Sequence, residues 1–234
     1  ETLSKLSIGG HKNVYSRGNY TQTQIEKLGY TNSMIGGCPS HYINESPELG
    51  KRIAANWIGI PKRICVAAGN QSWPETAHLE QQLVSLASDG MYPGAYVTQS
   101  AKEMIFIARG NFEDIDPGKL KRINRYIAPH LDEHDFKRWC ANYAKVFYDV
   151  PAWMSFLTGF DFVIGHRYHG IALAIQAEQM GLTLTIDTRT SELCAESGVP
   201  YIACSEVTEP VTRQIIYDKM VNFDAAVYDS HRQE

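Results

Sequence analysis

Short apolar runs alternate along the chain with longer stretches in which apolar residues recur every three or four positions. The runs lie at 14–16, 33–35, 64–68, 95–98, 146–148, 160–164, 182–186 and 201–203. A run that is apolar on both faces suits a strand buried on both sides, as in a parallel sheet covered by helices. The intervening stretches carry helix punctuation. Ser72 and Pro74 mark a start, Leu79, Leu83 and Leu86 form an inward stripe, and Gly90 marks the stop. Ser46-Pro47-Glu48 opens a second helix, and the stretch 190–196 ends at Gly198 with Pro200 beyond.

Strands alternating with helices predict an α/β fold: a Rossmann-like parallel sheet with flanking helices, plus a partial N-terminal α/β segment. Gly59 and Pro61 interrupt both periodicities, so a linker is expected at 56–62. This divides the chain into 1–58, the tail of an N-terminal Rossmann-like domain, and 59–234, a C-terminal Rossmann-like domain. Two strands in the first part are too few for a free-standing doubly wound domain. Their uncovered apolar surface predicts self-association through that edge, or dependence on a further domain. The charged stretch 111–145 reads as helical, with a turn at Asp116-Pro117-Gly118.

Composition narrows the function. The 234 residues are 44% hydrophobic and 21% charged, with a formal charge of −4, and no Lys/Arg cluster forms a phosphate-backbone track. Nucleic acid is therefore not the expected partner. No apolar run approaches the roughly 20 residues of a membrane span. The five cysteines stand at 38, 65, 140, 194 and 204 without paired spacing. They read as reduced thiols of a cytoplasmic protein rather than as zinc ligands.

The most informative segment runs from Phe160 through Gly165-His166-Arg167-Tyr168-His169-Gly170 into an Ala-rich helix. In a parallel sheet, ligands bind beyond the carboxyl ends of the strands, where this corner falls. The helix start favours an anion through its free N–H groups and dipole. Arg167 adds a planar cationic fork, and His169 a group that titrates near neutral pH. Gly170 allows close approach of backbone or ligand. Asn70 and Gln71 follow another strand, as do Gln99 and Ser100, and each pair fits either sugar contact or an ordinary turn. Cys38 reads as a packed thiol, since no base stands near it in sequence. The four tryptophans read as packing.

Taken with the later strand 182–186 and Ser197-Gly198-Val199-Pro200, this run resembles the polysaccharide pyruvyltransferase family. So does a second segment, Val14-Tyr15-Ser16-Arg17-Gly18 with Thr21, Leu28-Gly29 and Gly36-Gly37-Cys38-Pro39-Ser40. Two departures stand out: Arg189 occupies a position where a lysine is expected, and only 16 residues precede Arg17. The resemblance implies a GT-B-like architecture and transfer of a pyruvyl group from phosphoenolpyruvate to two hydroxyls of a saccharide acceptor, releasing phosphate. It implies His169 as the acid/base and Arg17 and Arg167 as holders of the donor's anionic groups. Tyr168, Gly170 and Asn70 complete the expected substrate-binding set, and neither cofactor nor metal is called for. A nucleotide-sugar glycosyltransferase, with Glu192 or Glu196 on a ribose, and a non-catalytic glycan-binding remnant are the alternatives.

Overall fold

The structure is a computed structural model that describes residues 11–233. The domains expected at 1–58 and 59–234 include residues 1–10 and 234, which lie outside the described residues. The first two strands, β1 (Val14–Ser16) and β2 (Ser33–Ile35), pair in parallel as a separate two-stranded sheet. Helix α1 (Asn19–Lys27) connects them, and α2 (Leu49–Asn56) follows. Tyr15 and Met34 on this small sheet are exposed.

The remaining strands are β3 (Ile64–Ala67), β4 (Ala95–Val97), β5 (Ala144–Lys145), β6 (Phe162–Gly165), β7 (Gly181–Thr185) and β8 (Tyr201–Ala203). They form one parallel sheet in the order β5-β4-β3-β6-β7-β8. Every residue of β3, β4, β6 and β7 is buried; the sequences of β3, β4 and β6 carry no charged residue, and β7 buries Thr183 and Thr185 beside its leucines. The chain moves outward from β3 to β5, returns to β6 at the centre, then moves outward the other way. Strand order thus reverses between β3 and β6. The segments that follow their carboxyl ends lead to helices on opposite faces and leave a crevice, the usual ligand position in a Rossmann-like sheet.

Helices α3 (Ala77–Ala87), α4 (Lys102–Arg109), α5 (Pro117–Ile127), α6 (Glu133–Tyr143), α7 (Val150–Leu157), α8 (Tyr168–Gln176) and α9 (Thr188–Glu196) link these strands, and α10 (Arg213–Met220) and α11 (Ala225–Gln233) follow β8. Right-handed crossovers in opposite directions place α3 and α8 on opposite faces of the sheet. The expected helical character of 111–145 is met by α5 and α6, whose starts are capped by the Asp116 and Asp132 carboxylates.

One strand falls elsewhere than expected. The run 146–148 is not a strand; pairing with β4 stops at Lys145. Phe147 instead turns inward against Trp153 and Phe156, Tyr148 is exposed, and Asp149 caps α7. Aromatic packing takes the run that a longer edge strand would have used.

The N-terminal segment is joined to the larger sheet's helices through polar contacts. Asn44 donates from its backbone and side chain to Gln176 on α8, and Arg52 pairs with Glu178 at 2.9 Å. Asp229 on α11 accepts the Gly50 and Lys51 N–H groups at the start of α2. Asn19 donates to Glu196 on α9 at 2.7 Å. These contacts seat the N-terminal segment against the last turns of α8 and α9 and against α11.

Candidate active site

At the crevice, β6 ends on Gly165 with φ 155°, where a Cβ would overlap the Ala67 carbonyl of β3. Glycine is required because the two central strands approach too closely for a side chain. Gly170 has a matching role one turn into α8: a Cβ there would lie 2.6 Å from that of Ala67 and 3.0 Å from Gln99 Nε2. It lets α8 seat against β3, bringing the helix start to the centre of the sheet.

Between these glycines the side chains part. His166 turns into the core, where its Nε2 faces Glu80 Oε2 at 3.3 Å and its Nδ1 lies 3.5 Å from Cys204 Sγ. Burial alone would lower its pKa, but the Cys204 contact and the Glu80 carboxylate outweigh it and raise the value to about 10. The other Glu80 oxygen accepts the Gly69 N–H at 2.9 Å and the Tyr96 hydroxyl at 2.5 Å. Glu80 therefore ties the ends of β3 and β4 to the residue that follows β6. This buried network was missed from sequence, although Glu80 stands within the stripe of Leu79, Leu83 and Val84 that faces the core.

Arg167 turns outward. Its guanidinium lies over the Trp73 ring, 4.6 Å from the centroid, and its Nε is buried without a hydrogen-bond partner. Among the described residues no carboxylate lies within ion-pairing distance of it. Stacking on an aromatic face orients the planar fork without consuming its charge. Gln99 Nε2, at the end of β4 and close to Gly170, is likewise buried and unpartnered. Trp73, read as packing from sequence, is part of the site.

The expectation for Tyr168 rests on its place at the start of α8, not on its ring. Its side chain is buried, and its hydroxyl donates to Ser197 Oγ at 2.8 Å, so it fastens α8 to the end of α9. Only its backbone N–H, in the first turn of α8, remains on the anion-binding side. Asn70 shows the turn behaviour weighed for it, accepting the Ser72 N–H at 2.9 Å. It stands at the carboxyl end of β3, one residue past Gly69.

His169 keeps one side open to solvent and packs the other against the N-terminal segment. Its Nε2 lies 3.6 Å from the buried Cys38 Sγ, which accepts a hydrogen bond from Ser40 Oγ at 3.1 Å. Partial burial, and then the charges of Arg17, Arg189 and Arg167, lower the His169 pKa below its ordinary value. Arg17, 152 positions away, is thus brought beside His169, as is Arg189 in the first turn of α9. The three guanidinium charges keep the imidazole neutral and favour an anion in their neighbourhood. Arg17 also lines an open cleft of about 670 Å³ with Tyr15, Gly36, Gly37, Glu196 and Arg232.

The Cys38–His169 contact overturns the reading of Cys38 as a thiol without a basic neighbour. The Gly-Gly-Cys-Pro-Ser run could be seen in sequence, but not its partner on another element. Glu192 and Glu196, the candidates for a ribose contact, face the N-terminal segment instead: Glu192 packs at Gly18 and Glu196 accepts from Asn19.

A family model described as polysaccharide pyruvyl transferase matches residues 2–178, a span that includes Arg17, Cys38, Arg167 and His169. No curated protein and no solved structure matches the chain.

Proposed function

Because the chain belongs to the polysaccharide pyruvyl transferase family, we propose that it transfers the pyruvyl group of phosphoenolpyruvate to two hydroxyls of a saccharide, forming a cyclic ketal and releasing phosphate. The observation that supports this donor is the cluster of Arg17, Arg167 and Arg189 around a neutral His169. Phosphoenolpyruvate carries a carboxylate and a phosphate on one small carbon frame, and compact anionic groups of this kind call for several convergent cations. The stacked Arg167 fork offers two parallel N–H donors, and the α8 start adds backbone N–H groups aimed the same way.

The reaction requires a proton to reach the donor's methylene carbon and another to leave the attacking hydroxyl. His169, open to solvent on one side, fits this traffic. Charge that shifts onto the departing phosphate is stabilised by the guanidinium groups already in place. The saccharide approaches from the ends of β3 and β4, where Asn70, Gln71 and Gln99 present amides. Gln71 Oε1 and Gln99 Nε2 are buried without partners, a combination that suits a hydroxyl, which both accepts and donates.

The test follows phosphate released from phosphoenolpyruvate by the intact protein in the presence of candidate glycans. Acceptor-dependent release is expected, and His169→Ala should reduce kcat by about 10²–10⁴ while donor affinity stays within about tenfold. No release with any glycan, alongside tight binding of a nucleotide sugar, would overturn the donor assignment.

A further inference from the structure

Resting on that functional reading, we infer that Cys38 is the proton partner of His169, so that Cys38 Sγ, His169 Nε2 and His169 Nδ1 work as a relay in which one ring serves as acid and then as base. The geometry fixes the polarity. Ser40 Oγ donates to Cys38 Sγ at 3.1 Å, which leaves the thiol's own hydrogen for His169 Nε2 at 3.6 Å. A ring whose Nε2 accepts a hydrogen bond carries its proton on Nδ1. Nδ1 has no hydrogen-bond partner among the described residues, and the ring's open side faces solvent. Nδ1–H is therefore the group that meets substrate, and Cys38 acts only through it.

The surroundings favour this arrangement over a charged ring. Arg17 after β1, Arg167 before α8 and Arg189 on α9 all oppose an imidazolium, and each favours an anion nearby. The Ser40 hydroxyl stabilises negative charge on the sulfur directly. Tyr168, the neighbouring titratable group on α8, is held neutral by burial, which outweighs the opposing effect of its bond to Ser197. A neutral ring is thus favoured here over an imidazolium.

In the addition step the Nδ1 proton passes to the methylene carbon of phosphoenolpyruvate. The double-bond electrons form the new C–H bond, leaving the central carbon electron-poor. As Nδ1 gives up its proton, Nε2 takes the thiol proton, and the sulfur becomes a thiolate. The saccharide oxygen then bonds to the central carbon, and its proton moves to Nδ1 while Nε2 returns its own to sulfur. One O–H has been added across one C=C, and both side chains regain their starting protonation. No oxidant, reductant or outside proton is consumed.

Two variants and one spectrum separate this relay from simple packing. In the intact protein labelled with ¹⁵N-histidine, the neutral His169 ring should carry its proton on Nδ1. In Cys38→Ala the proton should move to Nε2, the position usual for an unpaired imidazole. In Cys38→Ser a hydroxyl still donates to Nε2, so the Nδ1–H form should persist, yet an alcohol gives up its proton far less readily. Its kcat should then fall by about 10²-fold with KM for phosphoenolpyruvate little changed. Melting temperatures of both variants are measured alongside, and the wild-type spectrum decides the pairing with no variant needed. A wild-type ring protonated on Nε2, or a folded Cys38→Ser protein with full kcat, overturns the relay. A wild type that releases no phosphate from phosphoenolpyruvate overturns the functional reading instead, and the spectrum still reports on the pairing.

Discussion

The two halves of the candidate site rest on supports of different kinds. His166, Arg167 and His169 follow a central strand of the six-stranded sheet, whose four inner strands are wholly buried. Arg17 and Cys38 follow the strands of a two-stranded sheet that leaves Tyr15 and Met34 exposed. The first support is held by apolar burial and a buried ion pair. The second is held against the first by hydrogen bonds and one surface ion pair, through Asn19, Asn44, Arg52 and Asp229, and by Cys38, Leu49 and Ile53, which are buried in the common core. The large sheet thus presents the His169 ring and one guanidinium, while a second guanidinium and the thiol arrive on the smaller sheet. Such a division suits a site whose two walls must part for substrate to enter.

The largest effect expected from breaking this contrast lies at the base. Glu80 and His166 have no exposed side-chain surface, so Glu80→Ala leaves a buried histidine unpaired and should destabilise the protein by about 3–5 kcal/mol. The same pair predicts a pH dependence. His166 has its pKa raised in the folded state, so its contribution is complete below the unfolded value of 6.5 and is lost as pH rises through about 10. Denaturant unfolding at pH 6 and pH 10 should show this loss in the wild type, and Glu80→Ala should reduce that part of the slope, leaving the share that Cys204 supplies.

A smaller effect is expected at the attachment. Asp229→Ala removes the carboxylate that accepts two N–H groups at the start of α2. The cost should be about 1 kcal/mol, like that of losing a helix cap. That corresponds to a fall in Tm of about 2–4 °C for a chain of this size. Hydrogen exchange should quicken at residues 49–56 and leave β3 and β6 protected. Exchange that quickened uniformly would mean that the two halves unfold as one.

The smallest effect sharpens the electrostatic link between the halves. Arg17→Ala and Arg189→Ala each remove a charge that holds the His169 pKa down. The acid limb of kcat/KM should then move to higher pH, without loss of the folded state. An unmoved limb in both variants would show that the arginines do not act on the ring.

How far the sequence disclosed this arrangement depended on whether each feature was local. Continuous apolar runs revealed β3, β4 and β6, because strands buried on both faces leave no polar alternation, and β7 was recognised although Thr183 and Thr185 alternate with its leucines. β5 was placed two residues late, since Phe147 shares its composition with a strand but packs as an aromatic. Helices α10 and α11 drew no expectation; each buries few residues, so its apolar stripe is faint. Arg167 and His169 could be recognised because strand, glycine, cation and helix start follow one another within a few positions. Their partners could not. Cys38 lies 131 positions from His169, and Glu80 is buried within an otherwise apolar stripe. The direction of the Tyr168 ring was hidden for a related reason: only its packing against Ser197 decides which way it turns.

The placement of β3 beside β6 also bears on how the chain is made. Ile64 pairs with Phe162, so the central ladder joins residues separated by 98 positions. At a synthesis rate of about 5–20 residues per second, β3 waits roughly 5–20 s after leaving the ribosome before its central neighbour exists. During that interval one edge of an entirely apolar strand is open, and pairing so distant in sequence forms slowly even once both strands are present. The same adjacency that builds the crevice therefore makes the nascent chain a client for chaperones, with the period between β3 and β6 as its most vulnerable stage.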